Sequence, residues 1–393
     1  MVKRQRSSSC VATPHKVSKL DTSLQDGSSW SGSPHIASGF TLPELLDFTS
    51  LESDHAICSR FDNIASALFH EYRLLAASPE TRTEFEILEV EFYLHKSSCH
   101  EDPFTHGSDE QKQSGNWYFH RAPRKARVSQ LSVTAAGGYR GGTRKGLDLT
   151  IGAPATPKSR FFTESTSQML DPPLLRGGVL LRTLRRMSDS TIISGPSLLV
   201  DELLRVSEAS NIAKLVTDKW SGDTSAFLIS ASSETRTTCL HLVHVQPSRT
   251  QSSATIYRSP RIGLELSHPD ITLERLATHP RVVYVAKPYR YFIRPHLLTA
   301  NGRAQTFLGV YHACMDSKSF TQDSELCYTI TRITGLKAPT VVKYLGEYNH
   351  GLAKGSLTAF IGAAGKGVSA SPTRFLRMMG TLRKVSTEQE NHS

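Results

Sequence analysis

One eleven-residue run, FEILEVEFYLH at residues 85–95, constrains the fold of this chain more than any other segment. Apolar and polar side chains alternate along it: the apolar set is Leu88, Val90, Phe92 and Leu94, and the polar set is Glu89, Glu91, Tyr93 and His95. A period of two is the repeat of a β-strand, because successive side chains point to opposite faces. The run therefore predicts a half-buried strand whose polar face carries carboxylates.

Three further runs predict strands in which one polar side chain projects from an apolar segment. They are residues 145–152, 177–185 and 281–293, and the projecting residues are Asp148, Arg182 and Lys287. Helices are predicted at 41–48, where Thr41 and Glu44 have capping-box spacing, at 60–77, and at 194–206, where Pro196 suits a first helical turn. Strands and helices are thus mixed along one chain.

Composition divides the chain into three parts. Residues 1–40 contain ten serines and few large apolar side chains, which predicts a disordered tail whose Lys3, Arg4 and Arg6 are either a nuclear-localisation signal or merely solvated. An ordered domain is predicted at residues 41–298, with a Ser- and Thr-rich insertion at 221–255. A C-terminal extension is predicted at residues 299–393. Its basic amphipathic run TRFLRMMGTLRK is more typical of a helix that docks on the protein than of one that binds a membrane.

The charge balance points to an anionic partner. Lys and Arg number 46 against 36 Asp and Glu, which gives a net charge of +10. The excess lies in two stretches without acidic residues, 111–147 and 275–315. Basic residues beside aromatic ones suit phosphate contacts with base stacking, so these stretches predict nucleic-acid contacts, and a solvated basic face is the competing interpretation. The predicted backbone contacts are Arg140, Arg144, Lys145, Lys287 and Arg290.

Several classes of protein are disfavoured by the sequence. No apolar run approaches the roughly 18–20 residues of a membrane span, and the start MVKRQRSSSC lacks the apolar core of a secretory signal. The six cysteines contain no CxxC pair, so neither a disulfide scaffold nor a zinc ribbon is indicated. We therefore expect a soluble intracellular chain with reduced thiols and no membrane partner.

The richest polar stretch, residues 87–107, admits three interpretations. A metal site would use His95, Cys99, His100 and His106, although their spacing matches no familiar zinc pattern. General acid–base chemistry would use a strand carboxylate with a nearby histidine. The third interpretation is a strand edge with solvated glutamates.

A series of short motifs follows that strand in a fixed order. They are LEVEFYL, DPFTHG, GLDLTIG, VLLR followed by SGPS, and RSPRIGLEL followed by AKPYRYFI. Their order over roughly residues 60–295 resembles the alkyladenine (3-methyladenine) DNA glycosylase family. The resemblance implies an α+β fold: a single mixed domain with a curved, mainly antiparallel sheet and packed helices, like the C-terminal domain of formyltransferases.

The resemblance also implies roles for individual residues. Glu91 would be the general base that activates water, and Arg182 would lie near that water and a phosphate. Tyr93 and His106 would contact the everted nucleotide, and Asp148 would face the base where the family has Asn. The implied protein is a monomeric nuclear enzyme that excises damaged purines from double-stranded DNA without a metal or organic cofactor.

Two departures from the family pattern leave a second function open. The tyrosine-rich hairpin that wedges into DNA is replaced by GGYRGGTRKG, where Tyr139 is the available aromatic residue. Asp148 exchanges an amide that can donate a hydrogen bond for a carboxylate that only accepts. The alternative is a non-catalytic nucleic-acid-binding or adaptor protein that keeps the fold.

Overall fold

The structure is a computed structural model. It describes residues 40–122, 138–154, 174–228, 238–246, 253–272, 276, 278–298, 300–317, 320 and 322–390. The predicted tail, with its basic cluster, lies outside these ranges, as do parts of the first acid-free stretch and of the predicted insertion. Phe40–Ser393 group into one unit, so the sheet and the C-terminal helices are not separate bodies.

The described helices are α1 (Leu42–Leu45), α2 (Asp54–His70), α3 (Pro196–Val206), α4 (Ile212–Lys214), α5 (Pro280–Val285), α6 (Arg303–Ser317), α7 (Asp323–Thr334), α8 (Ala338–Lys354), α9 (Gly362–Gly365) and α10 (Pro372–Glu390). The described strands are β1 (Tyr72–Ala77), β2 (Arg82–Lys96), β3 (His100–Glu101), β4 (Trp117–Phe119), β5 (Leu147–Ile151), β6 (Leu175–Arg186), β7 (Ile192–Ser194), β8 (Cys239–His244), β9 (Tyr257–Ser259) and β10 (Arg290–Phe292).

All ten described strands belong to one antiparallel sheet, which curls into a half-barrel. Its main path runs β4–β5–β6–β2–β1–β8. The long strand β2 is central: β6 follows one of its edges, and β1 and then β10 follow the other. The expected α+β class and the curved antiparallel sheet are therefore confirmed.

The apolar face of β2 lies in the core, as the alternation predicts. Its four apolar side chains are fully buried. Helix α2 covers them, and the ring of Phe61 stacks on that of Phe92 with centroids 4.4 Å apart. Burial of each such side chain contributes about 1.5–3 kcal/mol, so this contact anchors α2 on the sheet.

Helices α1 and α3 lie where the capping residues and the proline of the sequence predict them. The Thr41 backbone N–H donates to the Glu44 carboxylate at 2.6 Å, so the predicted capping box is present at α1. Helix α3 begins at Pro196, where the sequence predicts it.

Two predicted elements were wrong because tertiary pairing overrides local pattern. The helix expected at 60–77 ends at His70, and Tyr72–Ala77 instead pairs with β2 and β8. The strand expected at 281–293 begins as helix α5, which His279 caps, and only Arg290–Phe292 pair in the sheet. Strand β8 lies in the segment predicted as an insertion, and it extends the main sheet beyond β1.

The C-terminal helices pack on the strands. Gly309 of α6 lies so close to β9 that a Cβ there would be 2.7 Å from the Arg258 carbonyl oxygen. The apolar side chains of the basic run in α10 are buried, as expected of a docking helix; they are Phe375, Leu376, Met378 and Met379. Among the helices that the structure describes, none is long and apolar enough to cross a membrane.

Replacing Phe307 tests this packing. Its side chain is fully buried in α6 and contacts the ring of Tyr344 at 5.5 Å, so Phe307→Ala should lower the free energy of unfolding by about 3–5 kcal/mol. Tyr328 of α7 is 68% exposed, and Tyr328→Ala should change it by about 0.5 kcal/mol or less. Urea denaturation measures both values, and equal losses would contradict the packing of α6.

Candidate functional site

A buried ionic cluster lies where the central strands β2 and β6 pair. The pairing is irregular around Glu89, where Leu88 and Arg182 have no partner in the other strand, but the register is the same on both sides of the irregularity. Arg182 reaches two carboxylates of β2, with its Nε 3.3 Å from Glu89 Oε1 and its Nη1 3.1 Å from Glu91 Oε2.

Glu91 is fully enclosed by hydrogen-bond donors. Its Oε2 also accepts from the Tyr93 hydroxyl at 2.9 Å, and its Oε1 accepts from the Ile262 backbone N–H at 2.6 Å. The side chain has no exposed surface. The alternative of solvated glutamates was therefore wrong, because Glu89 and Glu91 are both buried. Tyr93 and His95, on the same polar face, are partly exposed.

The hydroxyl of Tyr93 stays protonated in this setting. Burial raises the pKa of Tyr93 well above its usual value, and the neighbouring Glu91 carboxylate raises it further. The guanidinium of Arg261 lies over the Tyr93 ring, 4.4 Å from the centroid. Tyr93 is thus held between an anion at its hydroxyl and a cation at its face.

Arg290 completes the cluster from the other edge of β2. Its Nε donates to Glu89 Oε1 at 2.6 Å, and its two terminal nitrogens donate to Ser259 and Thr306 at 3.0 Å. The side chain is fully buried. It presents no surface to a phosphate, contrary to the prediction that it contacts the DNA backbone.

Glu89 makes the folded state sensitive to acid. Burial alone raises its pKa, but the charges of Arg290 and Arg182 outweigh burial and place the pKa below its usual value of 4.5. A carboxylate with a depressed pKa in the folded state stabilises the fold above its unfolded pKa, and that stability is lost as pH falls through the folded pKa.

The free energy of unfolding should therefore fall as pH drops below about 4.5. In Glu89→Gln this part of the pH dependence should be missing, because the amide does not titrate. Urea denaturation between neutral pH and about pH 3 provides the two curves, and equal slopes in the acid range would contradict the depressed pKa.

Across the sheet, the predicted site residues face the same side. Asp148 of β5 and Glu91 of β2 are both ladder partners of Leu180 of β6, so their side chains share one face and their backbones lie two strands, roughly 10 Å, apart. Gly178, the partner of Tyr93, lets the Asp148 side chain lie over it, since a Cβ there would be 2.9 Å from Asp148 Oδ2.

A second polar cluster surrounds Asp148, which is only 2% exposed. One oxygen lies 2.8 Å from His120 Nε2, and the other accepts from the Gln111 amide at 3.0 Å. The ring of His106 lies edge-on to that of His120, with centroids 4.3 Å apart. Burial lowers the pKa of His106 to about 4, and the nearby His120 contributes to the shift, so His106 is neutral at physiological pH.

Of the four residues of the metal site considered from the sequence, the described structure places only His106 in a cluster that could hold a metal ion. Both ring nitrogens of His100 are occupied, one by the Leu94 carbonyl at 2.9 Å and the other by the Tyr289 hydroxyl at 2.8 Å. Among the described residues, the set that the fold brings together is His106, His120 and Asp148.

The three cations of the glycine-rich loop that were predicted to contact the DNA backbone differ in their exposure and in their partners within the fold. Arg144 is exposed and has no ion-pair partner among the described residues. Arg140 is half-buried, and its Nε donates to the Arg121 carbonyl at 2.8 Å. Lys145 is paired with Asp201. Arg140 and Arg144 are therefore the more available cations of this loop.

Two other residues that the sequence assigned to DNA have partners within the fold. Lys287 forms an ion pair with Asp54 at 2.7 Å. Tyr139, the available wedge, lies beneath the guanidinium of Arg121, 3.8 Å from its ring centroid. Both side chains are therefore engaged within the fold.

Sequence reasoning missed His120 and Gln111. His120 directly follows β4, and the pairing of Tyr118 with Asp148 brings it beside the carboxylate. The sequence feature that could have identified His120 is its position directly after WYF, a short apolar run that forms β4 and pairs with β5.

Comparison with known proteins identifies one uncharacterised relative. No protein-family model matches the chain. An uncharacterized protein of Acanthamoeba polyphaga mimivirus is 28% identical over 219 residues, which cover 56% of this chain and 82% of the viral protein. Its name states no activity, so the resemblance to the glycosylase family stays a prediction.

Proposed function

We propose that this chain is a DNA glycosylase of the alkyladenine type, built on a formyltransferase-like fold. It hydrolyses the N-glycosidic bond of an alkylated or deaminated purine after the nucleotide has been flipped out of double-stranded DNA. The observation that supports it best is the network that joins Glu91, Tyr93 and Arg182 on the sheet face that also carries Asp148, with His106 beside it.

The reaction requires a carboxylate beside the sugar. Water attacks C1′ as the bond from C1′ to the purine nitrogen breaks, and the purine leaves with the bonding electrons through an oxocarbenium-like state. A cationic alkylpurine such as 3-methyladenine or 7-methylguanine leaves as the neutral base, whereas hypoxanthine takes up a proton from solvent as it leaves. Glu91 accepts the proton of the attacking water and stabilises the positive charge that develops on the sugar. Arg182 and the protonated Tyr93 hold this carboxylate in place from one side.

Water reaches Glu91 from the side of Ile262. The Ile262 N–H occupies Oε1, and it belongs to a turn whose next residue, Gly263, is exposed with φ at +85°. Displacement of this turn by the incoming nucleotide frees Oε1 for water. The buried carboxylate is thereby protected from solvent until substrate arrives.

Asp148 and His106 bind the flipped base in this proposal. An ionised carboxylate accepts hydrogen bonds, so Asp148 favours a purine edge that presents an N–H donor, as hypoxanthine does at N1. His106, being neutral, offers both a donor and an acceptor. As a repair enzyme, the protein acts in the nucleus, as a monomer, and Arg140 and Arg144 contact the phosphates.

The enclosure of Glu91 favours a second candidate function. Both of its oxygens accept hydrogen bonds and the side chain has no exposed surface. These are also the features of a structural ion pair in a non-catalytic nucleic-acid-binding or adaptor protein.

A lesion panel separates the two candidates. Duplex oligonucleotides carrying hypoxanthine, ethenoadenine, 7-methylguanine or 3-methyladenine are incubated with the protein, and release of the free base and binding are measured on the same duplexes. The proposed glycosylase releases at least one of these bases. Salt-dependent binding without release from any of them supports the adaptor instead.

A further inference from the structure

We propose that His106, His120 and Asp148 form a binding site for Zn²⁺. This inference does not rest on the proposed glycosylase activity. An ion held by His106 and Asp148 would lie between these side chains and the flipped base, in place of the direct contacts proposed above.

The geometry of the three donors suits one ion. One ligand atom of each residue lies within 4.8 Å of the other two. Around a tetrahedral Zn²⁺ with bonds of about 2.0–2.2 Å, ligand atoms are about 3.4 Å apart. The donor separations lie on both sides of that value, at 2.8 Å for His120 and Asp148 and at most 4.8 Å for the others, so side-chain rotations can bring all three donors to bonding distance.

Gln111 provides a second, independent indication. Its side chain is buried, and its Nε2 donates to Asp148 Oδ2, which orients the carboxylate. The other end of the same amide, Oε1, is buried and has no hydrogen-bond partner among the described residues. A buried acceptor without a donor destabilises the fold. A water molecule bound to the metal ion is a donor that can satisfy it.

The site is built by close backbone contacts. A Cβ at Gly146 would lie 2.6 Å from His120 Nδ1, so the imidazole packs directly against Gly146, the residue that precedes β5. Gly178 gives the Asp148 side chain the same freedom on the other side. These two glycines allow His120 and Asp148 to approach each other at the sheet surface.

A hydrogen-bonded pair without metal explains less of the arrangement. A His120–Asp148 pair needs only those two residues, whereas the structure places His106 against them. Within the described part of the chain, the His106 imidazole has ring contacts but no hydrogen bond. A metal ion accounts for the convergence of all three residues.

The donor set selects the metal. Two imidazoles and one carboxylate are the ligands of catalytic Zn²⁺ sites, which keep the fourth position for water or substrate. The same set with more open positions holds Fe²⁺. Zn²⁺ suits this site better than Fe²⁺, because a tetrahedral Zn²⁺ with three protein ligands binds one water, and the site has one buried acceptor without a partner, Gln111 Oε1.

The test measures metal binding on the full-length protein and needs no substrate. Protein stripped with a chelator is reloaded with Zn²⁺, Fe²⁺ under anaerobic conditions, or Co²⁺, and its metal content is determined by elemental analysis. We expect about one Zn²⁺ per chain, a rise in melting temperature on Zn²⁺ addition, and the visible absorption of tetrahedral Co²⁺ with nitrogen and oxygen ligands.

Matched variants locate the ion. His120→Ala and Asp148→Asn should weaken Zn²⁺ binding at least about 100-fold. The asparagine removes the negative charge and keeps one oxygen as an acceptor, whereas His120 and Gln111 bond different oxygens of Asp148. His55→Ala, at an exposed histidine of α2, should bind as the parent does. Parent protein that takes up no Zn²⁺ and shows no tetrahedral Co²⁺ spectrum would overturn the proposal. Zn²⁺ affinity unchanged in folded Asp148→Asn, or uptake of Fe²⁺ alone, would overturn it as well.

Discussion

Glu91→Gln should reduce base release by about 10²–10⁴-fold, because the amide neither accepts the proton of the attacking water nor stabilises a positive sugar. Binding of the damaged duplex should change little, since Glu91 is buried and does not contact phosphate. The rates are measured with enzyme in excess over a lesion-bearing duplex, and circular dichroism monitors folding.

Glu84→Gln is the matched control. Glu84 lies on the same strand, its side chain is 47% exposed, and its partner Arg82 is 64% exposed. This variant should release base at the parent rate. If Glu91→Gln is as active as Glu84→Gln, Glu91 is not the catalytic carboxylate.

Asp102→Asn should lower the free energy of unfolding by about 3–5 kcal/mol, because it leaves a buried guanidinium without its counter-ion. Arg261 has no exposed surface, and both of its terminal nitrogens donate to Asp102, at 2.5 and 3.2 Å. The same guanidinium lies over Tyr93, so this pair supports the candidate site as well as the fold. Urea denaturation measures the change.

Asp62→Asn is the comparison for this second prediction. Asp62 also pairs with an arginine, Arg258, at 2.9 Å, but the side chains are 37% and 52% exposed. Its loss should cost about 1 kcal/mol or less. A loss in Asp102→Asn no larger than that in Asp62→Asn would contradict the buried ion pair.

Sequence alone predicted the strand that carries the candidate site, and for a clear reason. The period-two pattern correctly identified β2 as a strand whose successive side chains point to opposite faces. Burial of Glu89 and Glu91 was not predictable, since their cover comes from residues far along the chain, such as Ile262 and Arg290. Nor did the pattern reveal that Arg182 pairs with both carboxylates.

The second cluster shows the same limit. Asp148 and His106 were recognised from short motifs, whereas His120 depends on the register of β4 against β5. The Tyr72–Ala77 segment was mistaken for helix because its apolar residues fit the helical period, and only pairing with two neighbouring strands makes it extended. The position of His120 and the extended conformation of Tyr72–Ala77 therefore depend on pairing between strands, and local propensity does not predict them.

Hydrolysis in ¹⁸O-labelled water tests the central claim most directly. The protein is incubated with a hypoxanthine-containing duplex in labelled water, and the products are identified by mass spectrometry. The account predicts free, unlabelled hypoxanthine and an abasic deoxyribose with one ¹⁸O at C1′, captured by reduction before exchange. A duplex that is bound but recovered intact, for this lesion and for each of the other three, would contradict it.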